Sequence, residues 1–228
     1  MNIFLIRHGE SVQNTGDNEI LGLADHKVIL TDKGREQAYK SAIALKNYMR
    51  HNESNLHLAR VWYSPYDRTK QTMEEFNKVF QFEKNGVDIC EDIRLTEQQF
   101  GLFDNIPENK WKELYPNEYQ TYQKFRKQKG KFWARLPLGE SPFDVALRIR
   151  DFFGTIQRDY EKCNIDTLFV FTHGVTLRTF VMQYLHYPVE WYENEHNPGN
   201  CWIRRIQDKT ARGYIYQERD MGYIYKGE

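Results

Sequence analysis

A histidine can attack phosphorus when its attacking nitrogen is neutral and its ring is held in one tautomer. The phosphoryl group it receives then needs fixed positive charge around its equatorial oxygens. Arg7-His8-Gly9 places both residue types side by side, Arg68 follows in a second segment, and His173-Gly174 in a third. Guanidinium groups suit this role because they stay charged and offer a rigid fork to phosphate oxygens. This chemistry makes His8 the candidate nucleophile, with Arg7, Arg68 and His173 as donors. Each residue also has an ordinary reading. An Arg-His pair after a strand is commonly a solvated loop, and a strand-end histidine commonly bonds only backbone. Arg68 could pair with Glu74 or Glu75 on its own helix. Joint placement after successive strands favours the chemical reading.

The elements that must position these residues are legible from periodicity. Ile3-Phe4-Leu5-Ile6 is a continuous apolar run, read as a parallel strand covered on both faces, so Arg7-His8-Gly9 falls at its carboxyl edge, where open α/β sheets bind ligands. Leu168-Phe169-Val170-Phe171 repeats the pattern and ends in Thr172-His173-Gly174, passing into a helix through Leu177, Val181, Tyr184 and Leu185. Val61-Trp62-Tyr63 is a further strand. The helix after it starts near Asp67, buries Met73, Phe76 and Phe80, and puts Arg68 in its first turn. Thr31 caps a helix over 32–50 whose inner stripe is Ala38, Ala42, Leu45 and Met49. Val87 to Cys90 is a weaker strand. Ser141-Pro142-Phe143-Asp144 is a helix start with a capping box, followed by Val145, Ile149, Phe152, Ile156 and Tyr160 at core spacing.

Between Glu97 and Gly139 the pattern loosens around Pro107, Pro116 and Pro137, which predicts an excursion carrying one or two helices over the site. Trp202 to Ile206 and Gly213-Tyr214-Ile215-Tyr216 form an edge hairpin, and the echo Gly222-Tyr223-Ile224-Tyr225 supplies a third strand or a pairing surface. The expected fold is α/β: a three-layer sandwich with a mostly parallel central sheet flanked by helices. It forms one domain over 1–228, with an inserted helical cap at about 98–140 and a C-terminal strand and tail at about 208–228.

The 228 residues carry 32 basic and 32 acidic side chains, so no global field points to nucleic acid or a membrane surface. An anionic partner must therefore be held by a local cluster. No apolar run approaches the ~20 residues that span a bilayer, and the opening reads as a buried strand rather than a secretory signal. Cys90, Cys163 and Cys201 are too widely spaced for a disulfide framework or a zinc site, which predicts reduced thiols in a cytoplasmic protein. His51, His57, His186 and His196 lack metal-ligand spacing, and no cofactor is expected. The sequence leaves a homodimer open.

Leu5-Ile6-Arg7-His8-Gly9-Glu10-Ser11, with Asn14 beyond it, resembles the opening motif of the histidine phosphatase (phosphoglycerate mutase-like) superfamily. The likeness continues through Leu30-Thr31-Asp32-Lys33-Gly34, through the stretch from Tyr63 to Thr72, and through Leu95-Thr96-Glu97-Gln98-Gln99-Phe100-Gly101. It resumes at Gly139-Glu140-Ser141 and at Thr172-His173-Gly174-Val175-Thr176-Leu177-Arg178, so it spans about residues 1 to 206 in family order. The resemblance implies that His8 becomes the phosphohistidine, that Arg7, Arg68 and His173 hold the phosphate, and that Asn14 shares the pocket. It also implies that Glu97 protonates the leaving alcohol; from the residues alone Glu10, Glu91 and Asp92 are equally available.

The implied activity is metal-independent hydrolysis of a small phosphorylated metabolite. Alternatives are a phosphoglycerate-type mutase and a non-catalytic binding protein of the same fold. Gln98 stands where mutases often carry an arginine, and the insertion lacks their adjacent-basic, proline-rich arrangement, so the likeness is to a phosphatase-like branch. Within the cap, Arg135 is the expected substrate contact. Phe132 and Trp133 are candidates for an aromatic wall, with core packing the favoured use.

Overall fold

A computed structural model of the chain describes residues 1–15, 23–51, 56–208 and 210–216. Its sheet has six strands in the order β3-β2-β4-β1-β5-β6. These are β1 (Asn2–Arg7), β2 (Ala59–Tyr63), β3 (Asp88–Glu91), β4 (Thr167–Thr172), β5 (Ile203–Gln207) and β6 (Thr210–Tyr216). The first four run parallel, and β5 and β6 add an antiparallel edge hairpin beside β1. The echo at Gly222 to Tyr225 lies outside the described residues.

Alternation along β1 and β4 explains the three layers. Phe4, Ile6, Phe169 and Phe171 face helices α1 (Asp32–His51) and α2 (Asp67–Phe80), meeting Ala38, Ala42, Leu45, Met49, Met73, Phe76 and Phe80. Ile3, Leu5, Leu168 and Val170 face the opposite way. There they meet Val145, Ile149, Phe152 and Ile156 of α5 (Pro142–Cys163) and Leu177, Phe180 and Val181 of α6 (Gly174–Tyr184). Both faces are apolar, as a strand covered by helices on each side requires. Local signals agree with the packing. Thr31 Oγ1 accepts from the Gly34 N–H at 2.9 Å, and Ser141 and Asp144 make a reciprocal capping box ahead of Pro142 at the first helical position.

Tyr160 departs from the expected stripe of α5, being 53% exposed. The inward position after Ile156 is taken by the buried Asp159, which accepts from Arg60 and Trp62 of β2, so Tyr160 borders a surface groove rather than the core.

The excursion after Glu97 folds into two helices, α3 (Glu108–Leu114) and α4 (Pro116–Lys129). Phe103, Trp111, Tyr122, Ala134 and Leu136 give it a small core of its own, with Phe103 and Trp111 stacked at 4.4 Å. Its two roots are tied by the Glu140 N–H to the Gln99 carbonyl (2.8 Å) and the Leu102 N–H to the Pro137 carbonyl (3.0 Å). The sequence pattern does not foresee α7 (Val189–Asn194), whose buried Tyr192 reaches back toward the strand ends.

Where β1 ends, Gly9 packs directly on Gly34 at the start of α1. A Cβ at Gly9 would stand 2.4 Å from the Gly34 carbonyl oxygen, so only glycine fits without shifting backbone. Gly9→Ala is therefore expected to cost about 1–3 kcal/mol, as overpacking does, lowering the melting temperature by roughly 2–4 °C per kcal/mol in a chain of this size. Thermal denaturation of the variant checks this, and an unchanged midpoint would contradict the packing.

Candidate active site

The register of β1 on β4 pairs Arg7 with Thr172, which sets the next residue of each strand, His8 and His173, beside one another. Their ring centroids are 5.2 Å apart. The His8 N–H extends the ladder to the Thr172 carbonyl at 3.0 Å. His8 Nδ1 lies 2.7 Å from the Gly9 carbonyl, which can only accept, so Nδ1 carries the proton and Nε2 is left with its lone pair. Gly9 is itself fixed by its N–H to Thr72 Oγ1 at 3.0 Å. Burial, and then the Arg68 and Arg7 guanidinium groups, hold His8 well below the ordinary imidazole range. The ring is thus neutral and in the tautomer that nucleophilic attack requires.

His173 is fully buried between His8 and Tyr66. Its Nε2 is 2.8 Å from Ser64 Oγ, and its Nδ1 has no partner among the described residues. Burial, Arg68 and His8 depress its protonation as well.

Arg68 sits in the first turn of α2, stacked on the Tyr66 ring at 4.8 Å. Glu75 does not take it, being engaged by Arg35 at 3.4 Å and Lys78 at 2.6 Å. Arg68 instead donates to Asp25, reaching the carbonyl at 2.7 Å and the two carboxylate oxygens at 3.0 and 3.2 Å. A carboxylate of the same chain thereby occupies the fork that suits a phosphate. Arg7 donates through Nη1 to the Pro198 carbonyl, while its Nε has no partner among the described residues. Asn14 Oδ1 is fixed by Ser11 N (3.1 Å) and Asn200 Nδ2 (3.0 Å). Asn200 also donates to the His8 carbonyl at 3.2 Å.

Glu97 lies at the amino end of α6, where its carboxylate accepts from the N–H groups of Val175 and Thr176, both at 3.3 Å, and from Gln98 N at 3.0 Å. The rival carboxylates are placed elsewhere. Glu10 is bound to Lys33 at 2.8 Å, Asp92 is bound to Arg94 and caps a short 3-10 turn, and Glu91 is exposed at the sheet edge. A cavity of about 390 Å³ brings Arg7, His8, Asn14, Arg68 and Glu97 together beneath the cap.

Arg135 is not among its lining residues, which corrects the expectation from sequence. Its side chain is 64% exposed and turned to Asp144 on the outer face of the cap. Phe132 is core, packed on Tyr192, and Trp133 lies on the outer surface against Phe143. A larger groove of about 700 Å³ at Met1, Tyr184 and Asp208 lies at the amino ends of the parallel strands, the wrong edge for a site of this type. Among the described residues no group of His, Cys, Asp and Glu could hold a metal ion, and no helix is long and apolar enough to cross a membrane.

The sequence profile of the histidine phosphatase superfamily (branch 1) matches residues 3–217. The chain belongs to that superfamily. Within it, the chain is 32% identical over 213 residues to a phosphoglycerate mutase-like protein, AT74, of Arabidopsis thaliana, covering 90% of this chain. It spans only 64% of that relative's length. It is 27% identical to a broad-range acid phosphatase, DET1, of Saccharomyces cerevisiae, with 93% of this chain and 87% of that protein aligned. Among solved structures, a mycobacterial glucosyl-3-phosphoglycerate phosphatase crystallised with VO3 superposes with a TM-score of 0.69 at 19% identity. That alignment covers 90% of this chain and 92% of the other, a likeness of fold.

Several residues of this superfamily member's cavity escape a reading by motif. Asp25 stands in a polar loop without periodicity, and Tyr192 comes from the unforeseen α7. Arg178 lies within a quoted motif, but only the packing of α6 against α7 brings it to the cavity wall.

The two depressed histidines make stability depend on pH. Each binds its proton more readily unfolded than folded, so their contribution is fully present above pH ~6.5 and is lost as pH falls below it. His8→Gln is expected to flatten the fall of melting temperature between pH 7 and 5 in phosphate-free buffer. An identical slope in the variant would contradict the assignment.

Proposed function

We propose that the chain hydrolyses a small phosphate monoester through a phosphohistidine on His8. One observation carries this reading: a neutral imidazole, pinned through Nδ1 to the Gly9 carbonyl, shares one cavity with Arg7, Arg68 and Glu97. In the first step His8 Nε2 attacks phosphorus in line, the bond from phosphorus to the ester oxygen breaks, and Glu97 gives its proton to the leaving oxygen. In the second, Glu97 takes a proton from a water that attacks phosphorus, the bond from phosphorus to nitrogen breaks, and inorganic phosphate leaves. Arg7 and Arg68 supply the positive charge opposite the transferring phosphoryl group. Arg68 exchanges the Asp25 carboxylate for phosphate oxygens as substrate enters. His173 is fully buried against His8 and is not among the residues of the cavity wall, so it backs the nucleophile, and Asn14 borders the site.

Names among the relatives point both to phosphatases and to mutase-like proteins. Hydrolysis is favoured because the residue next to the acid, Gln98, is a neutral member of the cavity wall whose amide donates to the Glu140 carbonyl at 2.6 Å. The cation that mutases often place there is absent.

A panel of phosphate monoesters, with inorganic phosphate and isomer formation both followed, tests the reading. Phosphate release should exceed isomerisation and persist in EDTA. Glu97→Gln should slow alkyl phosphates by about 10²- to 10⁴-fold, the usual reach of general acid catalysis, and aryl phosphates with good leaving groups much less. Isomerisation outrunning release would favour the mutase. Equal losses on both ester types would remove Glu97 from the acid's role.

A further inference from the structure

The cavity holds more positive charge than one phosphate monoester uses. Beyond Arg7 and Arg68 its wall includes Arg126, Lys131 and Arg178. Arg126 faces Glu108 at 3.6 Å. Arg178 is only 2% exposed, yet its one hydrogen bond among the described residues goes to a neutral group, the Glu195 carbonyl at 3.2 Å, and its Nε has no partner. Lys131, contributed by the cap just after α4, makes no hydrogen bond or ion pair among the described residues. The nearby Glu193 carboxylate is committed to the Phe132 N–H at 2.7 Å.

Both cations pack on one ring. The Arg178 guanidinium lies 4.6 Å from the centroid of Tyr192, and the Lys131 ammonium 5.8 Å. Tyr192 is completely buried, and its hydroxyl has no partner among the described residues. Burial pushes that hydroxyl's pKa up, so it remains a neutral donor. Burial, and then the Arg178 and Arg126 charges, push the Lys131 ammonium down from its ordinary value, and the Glu193 and Glu108 carboxylates offset only part of this. Two such cations and a buried hydroxyl are costly to hold together without an anion.

The geometry points to a second anion-binding pole formed by Arg178, Lys131 and the Tyr192 hydroxyl, and hence to a substrate whose phosphorylated organic part carries another negative group, a carboxylate or a second phosphate. This rests on the reading of the His8 end as the ester-phosphate site. Tyr192 of α7 packs against both Arg178 of α6 and Lys131 of the cap, so the pole forms only where these three elements meet. Neutral-tailed esters would leave it unfilled and bind more weakly.

Direct binding separates the pole from catalysis. Calorimetric titration with ω-phosphonocarboxylates of increasing chain length, and with alkylphosphonates of matching length, reads the second charge without turnover. The best-fitting acid should bind at least ten-fold tighter than its alkyl counterpart. Bisphosphonates of the same lengths form the other arm, and the tighter series identifies the second group. Lys131→Met should cut that ratio to below three-fold, and Tyr192→Phe should lower it while circular dichroism stays native. A wild-type ratio near one in both arms, or equal losses for acid and alkyl ligands in Lys131→Met, would overturn the pole. A retained ratio in a protein that hydrolyses no ester would uphold the pole and sink the hydrolytic reading; turnover of neutral-tailed esters with a ratio near one would do the reverse.

Discussion

Everything at this site depends on the register between β1 and β4. Arg7 opposite Thr172 sets His8 and His173 side by side, each on the first residue past its strand. A slip of one residue would turn the alternating apolar side chains of β1 to the wrong helical layer as well as parting the histidines. The same contacts that bury Phe4 and Ile6 on one face, and Ile3 and Leu5 on the other, therefore determine where the nucleophile stands.

That register also creates the electrostatic tension the site works with. Two buried imidazoles lie beside guanidinium groups, and both respond by staying neutral. Arg68 finds its counter-charge in Asp25, a group an incoming phosphate can displace, whereas Arg178 and Lys131 have no carboxylate in contact among the described residues. A chain with equal numbers of acidic and basic residues thus concentrates positive charge in one cavity. Ion pairs elsewhere differ in burial: Arg60 with Asp159 is largely buried, whereas Lys110 with Glu113 is exposed on both sides and contributes about 0–1 kcal/mol.

How much of this was legible in the sequence follows from how local each signal is. The strand runs ending in Arg7-His8-Gly9 and Thr172-His173-Gly174, the capping box at Ser141, and Arg68 in the first turn of its helix are written in adjacent residues, and the fold reproduces them. Glu97 was one of four carboxylates until tertiary contacts drew Glu10 to Lys33 and Asp92 to Arg94. Arg135 reads as a cap cation, and only the fold of the cap shows which side it faces. Tyr160 keeps the core spacing of α5, but the polar Asp159 takes the inward place by bonding Arg60 and Trp62 of β2. Asp25, Tyr192 and the pairing of Arg178 with Lys131 depend on contacts between distant segments, which periodicity does not report.

The central step is covalent transfer of the phosphoryl group to one nitrogen of His8. Rapid mixing with a phosphate monoester, quenching in base, and mass spectrometry of the digested protein measure that directly. The prediction is a phosphoryl group on His8, stable to base, labile to acid and absent from His8→Ala. A protein that turns over the ester with no such adduct on His8 at any time, or with the label on another residue, would contradict it.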